Sequence, residues 1–154
     1  MINYILYIFI ILILMTSCQS GDGYNEVQWI EDQVWSFDRI LNYHFHAPDT
    51  SQFYDLVLTI QHDEQYRYQN LYTLITTHFP DGDTVEQMLS LQISDGKGLW
   101  LGKCSGGSCT VEINLQQGIR FPHPGRYALE LKQHSRDDNL EGIQSVALAV
   151  IRAD

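Results

Sequence analysis

His44-Phe45-His46 sets two imidazoles two residues apart, and in an extended chain that spacing puts both on one face, where they could supply two ligands of a metal ion. A third ligand would have to come from His62 or Asp63, and nothing local brings either to the pair. These residues read as a solvated strand face, and no metal and no cofactor is assigned. Asp81-Gly82-Asp83 and Asp137-Asp138 cluster carboxylates as calcium loops do, but neither runs on to the bidentate glutamate of an EF-hand, so they read as a polar turn and a helix start. Ser105 and Ser108 lack the Gly-x-Ser-x-Gly elbow that arms a nucleophilic serine. No catalytic residue is assigned, and the chain is read as not an enzyme.

The three cysteines divide by context. Cys18 follows an apolar run, Ile5 to Met15, interrupted only by Tyr7. That run is shorter than the roughly 18 to 20 residues a spanning helix needs and has the length of a signal-peptide hydrophobic region. Met15-Thr16-Ser17-Cys18 resembles a bacterial lipobox, with an apolar and two small residues before a cysteine that is acylated and becomes the new N-terminus. Acylation adds about 0.8 kcal/mol of membrane affinity per buried methylene, so two or three chains anchor stably. Methionine in place of the commoner leucine, and the lack of Lys or Arg in residues 1–17, depart from the pattern. The other reading of this segment is an uncleaved anchor with an incidental cysteine. Residues 1–17 are therefore taken as signal peptide, 18–28 as acylated cysteine and polar tether, and 29–154 as one domain.

Cys104 and Cys109 remain, separated by Ser-Gly-Gly-Ser. Export places them in a disulfide-permissive compartment, and the two glycines let a short loop turn back on itself. A metal site would want more ligands, and a redox pair more usually has two intervening residues; the pair reads as a structural disulfide.

Charge excludes some partners. Nineteen acidic and nine basic residues, all after Cys18, give a net charge of -10. Phosphate contacts need clustered Lys and Arg, so no nucleic acid is expected, and a second, electrostatic attachment to anionic headgroups is disfavoured.

The elements that must position these residues alternate with period two. Tyr54, Leu56, Leu58 and Ile60 face one way, and the pattern returns at Leu89, Leu91 and Ile93, at Tyr127, Leu129 and Leu131, and at Val146, Leu148 and Val150. Four further stretches rich in β-formers lie between them, at 34–37, 66–79, 98–102 and 111–115, separated by turn signals at 47–49, 80–83, 95–98 and 122–125. About eight short strands predict an all-β fold, an antiparallel β-sandwich of the immunoglobulin-like or jelly-roll kind. One short helix is expected near the C-terminus, at Asp137 to Ile143, from its acidic start and glycine stop.

Three stretches carry a family likeness: Tyr66-Arg-Tyr-Gln-Asn-Leu-Tyr72, then Asp95-Gly-Lys-Gly-Leu-Trp-Leu-Gly102, then Phe121 through Val150. In that order, and with the lipobox, the chain resembles the gliding-motility lipoprotein GldH family of the Bacteroidota over nearly its whole length. Ala147, where the pattern has glycine, and the Cys104 to Cys109 loop depart from it. The resemblance implies a non-catalytic lipoprotein, held to the membrane by its lipid anchor in the cell envelope. Its implied partners are the protein components of the gliding and secretion machinery. The residues after Cys18 carry only one acidic group in the first four, an incomplete signal for export to the cell surface, so the expected position in the outer membrane faces the periplasm.

Trp29, Trp35, Tyr43, Phe45, Tyr66, Tyr68, Tyr72 and Trp100 are read mostly as core or cross-strand pairs, with any outside the core free to anchor a protein partner or stack on a sugar. A surface carbohydrate-binding module is the alternative function. Arg136 beside Asp137 either ties the last hairpin or presents charge, and no binding residue is assigned.

Overall fold

The alternation becomes burial. In the computed structural model, which describes residues 23–153, Leu58 and Ile60 are fully buried and Tyr54 and Leu56 nearly so, while Asp55, Thr59 and Gln61 of the same strand are partly exposed. The strands are β1 (Gly23–Trp29), β2 (Val34–Ser36), β3 (Ile40–Ala47), β4 (Tyr54–Asp63), β5 (Asn70–His78), β6 (Thr84–Gln92), β7 (Lys103–Ser105), β8 (Ser108–Ile119), β9 (Gly125–Gln133), β10 (Asn139–Glu141) and β11 (Ile143–Arg152). All pair antiparallel. One sheet runs β1-β11-β4-β8-β7, the other β3-β9-β5-β6, and β10 pairs with β2 as a separate ribbon.

The two larger sheets share one core, as expected when each has an apolar face to bury. Tyr43 of β3 is fully buried, and its hydroxyl donates to the Val146 carbonyl of β11 at 2.9 Å, so the sheets are joined by a hydrogen bond as well as by packing. Phe45 stacks on Tyr127 and also meets Tyr24 and Phe121, forming an aromatic cluster at the end of the sandwich where the chain enters β1. Trp35 of β2 is fully buried with its indole N–H on the Arg39 carbonyl at 2.9 Å; truncation of such a side chain costs about 3–5 kcal/mol.

Four expectations need correction. Residues 23–28, read as the end of the tether, are strand β1, held by a continuous backbone register with β11 from Gly23↔Ile151 to Trp29↔Ser145. Asp137 to Ile143 is not a helix: 139–141 is β10, whose Leu140 pairs with Trp35 and is fully buried, a long-range contact that outweighs a weak local helix signal. The stretch 98–102 is a turn with one isolated bridge, Ser94↔Trp100, not a strand. The strands number eleven, not about eight: 98–102 drops out, and β1, β3, β7 and β10 are added. Of these, β1 and the three-residue β7 and β10 carry no apolar alternation, while β3, read only as the face that carries His44 and His46, buries Leu41, Tyr43, Phe45 and Ala47 on its other side. Residues 1–22, with the proposed leader and Cys18, lie outside the described residues. Among the described residues no helix is long and apolar enough to cross a membrane.

Candidate functional site

The three family-like stretches, far apart in sequence, meet at one end of the sandwich. The first is the loop into β5. Its Gln69 carbonyl accepts the N–H groups of Ile93 (3.0 Å) and Ser94 (3.1 Å), which fastens it to the residues that lead into the second stretch. Within that second stretch the Asp95 carboxylate accepts the N–H groups of Lys97 (2.8 Å) and Leu99 (2.9 Å), a local cap that folds the turn. The turn delivers Trp100 onto His62, ring centroids 4.7 Å apart, with its indole N–H on the Glu64 carbonyl at 3.1 Å. Gly102 must be glycine: its φ is +86°, and a Cβ there would stand 2.1 Å from the Thr110 carbonyl oxygen.

The third stretch closes the site through Gln133, a polar residue on the core face of β9 that the sequence reading did not single out. Fully buried, its amide donates to the Asp137 carbonyl (3.0 Å), and its side-chain oxygen accepts the Ser135 N–H (2.8 Å), so one side chain shapes the 135–138 turn. The available signal was register: after Tyr127, Leu129 and Leu131 the next inward position carries a glutamine, and a buried polar group is retained only when its hydrogen bonds are met.

Between these walls lies an open cleft of about 590 Å³ lined by Arg67, Tyr68, Asn70, Tyr72, Ser135, Arg136 and Asp137. Tyr68 donates its hydroxyl to Asp137 at 2.5 Å, and Arg67 approaches the same carboxylate at 3.8 Å. The hydrogen bond to Asp137 is the main cause that raises the Tyr68 phenol above its ordinary range, which keeps it a protonated donor. Asn70 donates to Ser90 of the neighbouring strand at 3.0 Å. Tyr72 is 47% exposed. Arg136 does not tie the hairpin through Asp137, whose carboxylate turns instead to Tyr68 and Arg67, and its side chain stands exposed at the rim. The arrangement offers aromatic rings, two guanidinium groups and an amide on one surface, the chemistry of recognition.

Of the aromatic residues singled out, Trp35, Tyr43, Phe45 and Tyr66 are core; Trp29, Tyr68 and Tyr72 are exposed, and Trp100 lies between. His44 and His46 are exposed on β3, while His62 is fully buried on β4 of the opposite sheet, so these imidazoles do not converge. Burial holds the His62 imidazole below its ordinary pKa; its Nδ1 faces the Asp63 carbonyl at 2.9 Å and its Nε2 has no partner. Asp81 caps its own turn at the Asp83 N–H (3.1 Å) and pairs with His123 (3.0 Å). Cys104 and Cys109 sit directly opposite each other on β7 and β8 and are joined as a disulfide, with Gly106 and Gly107 both at positive φ, as a two-residue type I′ turn requires. The Glu64 carboxylate lies within 4.8 Å of both sulfurs, but sulfurs bonded to each other offer no thiolate to a metal.

Comparison with known proteins matches the same span. The model of the GldH lipoprotein family matches residues 22–150. The gliding motility lipoprotein GldH homolog of Christiangramia forsetii is 28% identical over 156 positions, covering 96% of this chain and 95% of that relative. The gliding motility lipoprotein GldH of Flavobacterium johnsoniae is 22% identical over 149 positions, covering 92% of each. The chain therefore belongs to the GldH lipoprotein family.

Proposed function

We propose that this protein is a non-catalytic lipoprotein of the cell envelope, anchored through acylated Cys18 in the outer membrane and facing the periplasm. It supports the gliding-motility and associated secretion machinery by binding a protein component of it. The observation that carries this reading is that the first and third family-like stretches line a single exposed cleft, with Trp100 of the second packed behind it against Tyr66. Its position adds support. β1 begins at Gly23 and ends at Trp29 beside Ser145, and the cleft lies at that far end, in the loop that follows Tyr66, which packs against Gly142. Seven residues of strand span about 20 Å, so a lipid attached before Gly23 would leave the cleft facing away from the membrane. In this scheme the acyl chains supply address and the cleft supplies recognition; Arg67, Tyr72 and Arg136 form its exposed face and Gln133 fixes its shape.

The test is replacement of the gene in its native host by Tyr72→Ala with Arg136→Glu. The protein should accumulate in the envelope at normal level while surface adhesin movement and secretion fall at least tenfold, the effect expected when an aromatic and an arginine anchor are removed together. Undiminished movement and secretion would refute the assignment of the cleft. A second reading, a carbohydrate-binding module, draws on the exposed Tyr72 ring beside Asn70 in the same cleft. A glycan array on the purified protein separates the two: reproducible sugar binding lost with Tyr72→Ala supports the second and displaces the first.

A further inference from the structure

The two long sides of the sandwich are finished differently. On the β1 and β3 side the sheets are stitched together: Tyr24 packs on Phe45, and Arg39 donates to the Trp29 carbonyl at 2.6 Å. On the other side β7 pairs only with Ser108 to Thr110, so the five-stranded sheet ends short and leaves the outermost strand of the four-stranded sheet, β6, without cover over most of its length. Thr84 through Met88 are all exposed, Val85 by 55% and Met88 by 58%. Val85 and Leu89 lie on the inner face of β6 and line an apolar cavity of about 290 Å³ that opens along this side, with Ile75, Leu115 and Ile119 behind them.

The backbone of β6 is equally unprotected. Its register with β5 runs unbroken over nine residues, from Asn70↔Gln92 to His78↔Thr84, with no bulge, and the strand carries no Lys or Pro, the devices by which natural edge strands refuse a neighbour. The Phe79 N–H bonds to the Asp83 carbonyl at 2.9 Å, and counting the antiparallel alternation from that pair directs the N–H and C=O groups of Thr84, Glu86, Met88 and Ser90 to the open side. The outer face of β6 presents Glu86, the one charged side chain of the strand, on a protein of net charge -10. A neighbour is thus specified by three features: an extended backbone, apolar side chains at alternate positions to continue Val85 and Leu89, and a basic side chain between them to meet Glu86.

We propose that β6 is a strand-addition site for an extended, apolar-basic alternating segment of a partner protein. The site adjoins the motif-lined cleft only at Ser90, beside Asn70 and Tyr72, and requires neither the lipid anchor nor a role in motility. The added strand would complete the ladder of β6, and its inward side chains would close the mouth of the cavity beside Val85 and Leu89.

The experiment uses the full chain in detergent and a synthetic nine-residue peptide alternating valine with lysine and threonine. Saturable binding is expected, with amide hydrogen exchange slowed at Thr84, Glu86, Met88 and Ser90. Met88→Pro removes one outward N–H while leaving the β5 ladder intact, because proline is tolerated on the open side of an edge strand, and should weaken binding about tenfold. Glu86→Lys should weaken the lysine peptide by about 2–5-fold and strengthen a glutamate-for-lysine peptide similarly, as cross-strand charge pairs do. The rescue shows that a weakened variant is not merely unfolded. Slowed exchange at β1 or β3 instead of β6, absence of saturable binding, or equal binding by Met88→Pro would overturn the proposal. So would a peptide-free dimer abolished by Met88→Pro, which would give the edge to a second copy of the chain. Arg136→Glu alone, which leaves the Tyr72 partner of Ser90 in place, should bind the peptide unchanged, so failure of the cleft and failure of the edge are read separately.

Discussion

Replacing Gly102 by alanine should destabilise the protein far more than replacing Gly98, although both residues occupy the left-handed region in the same turn, at φ +86° and +82°. Left-handed backbone costs an alanine about 1–2 kcal/mol at either position. At Gly98 that is the whole cost, since an added Cβ meets nothing within 4 Å. At Gly102 the added Cβ would stand 2.1 Å from the Thr110 oxygen and 3.0 Å from both the Thr110 carbonyl carbon and the Val111 Cα. All three are backbone atoms of β8, which is held to β4 through Gln61↔Thr110 and Ile60↔Val111, so no flexible side chain can give way. Relief by overpacking-type shifts adds about 1–3 kcal/mol, bringing the total to roughly 2–5 kcal/mol. Urea unfolding followed by tryptophan fluorescence measures the contrast directly. With an m-value of about 1–3 kcal/mol/M, a difference of about 2 kcal/mol separates the two midpoints by roughly 1 M. Equal midpoints, with both variants folded, would refute the close approach of the turn to β8 and with it the placement of Trp100 over His62.

Two further outcomes follow from the same end of the sandwich. Reducing the Cys104–Cys109 bond, or replacing both residues by serine, should cost about 2 kcal/mol, since it closes a loop with a sequence separation of only 5, and calorimetry with and without reductant would register the loss as a lower transition temperature. Burial lowers the His62 pKa from 6.5, so the unfolded chain binds that proton more readily than the folded one. The stability this residue contributes is present above about pH 6.5 and falls as the pH drops from there through its lower folded pKa; His62→Phe should flatten that part of the stability profile measured by urea midpoints, and an unchanged profile would show that the imidazole does not titrate as its burial demands.

The sequence by itself determined where the chain alternates and where it turns, because period-two patterning and Gly, Pro and Asp turn chemistry are local properties. The inward faces at Tyr54 to Ile60, Leu89 to Ile93, Tyr127 to Leu131 and Val146 to Val150 lie where the pattern put them, and Cys104 and Cys109 are paired. Tertiary structure alone decided the elements whose partners are distant. β1 has Val27 and Trp29 exposed and Tyr24, Glu26 and Gln28 half-buried, the reverse of an apolar alternation, because an edge strand is held chiefly by its backbone ladder to β11. Leu140 is a strand residue only because Trp35, more than a hundred positions earlier, lies opposite it. The cleft is the same case on a larger scale. Its residues were legible one stretch at a time, but Tyr68 meets Asp137 across 69 positions, and only the closing of the two sheets makes that pair a surface.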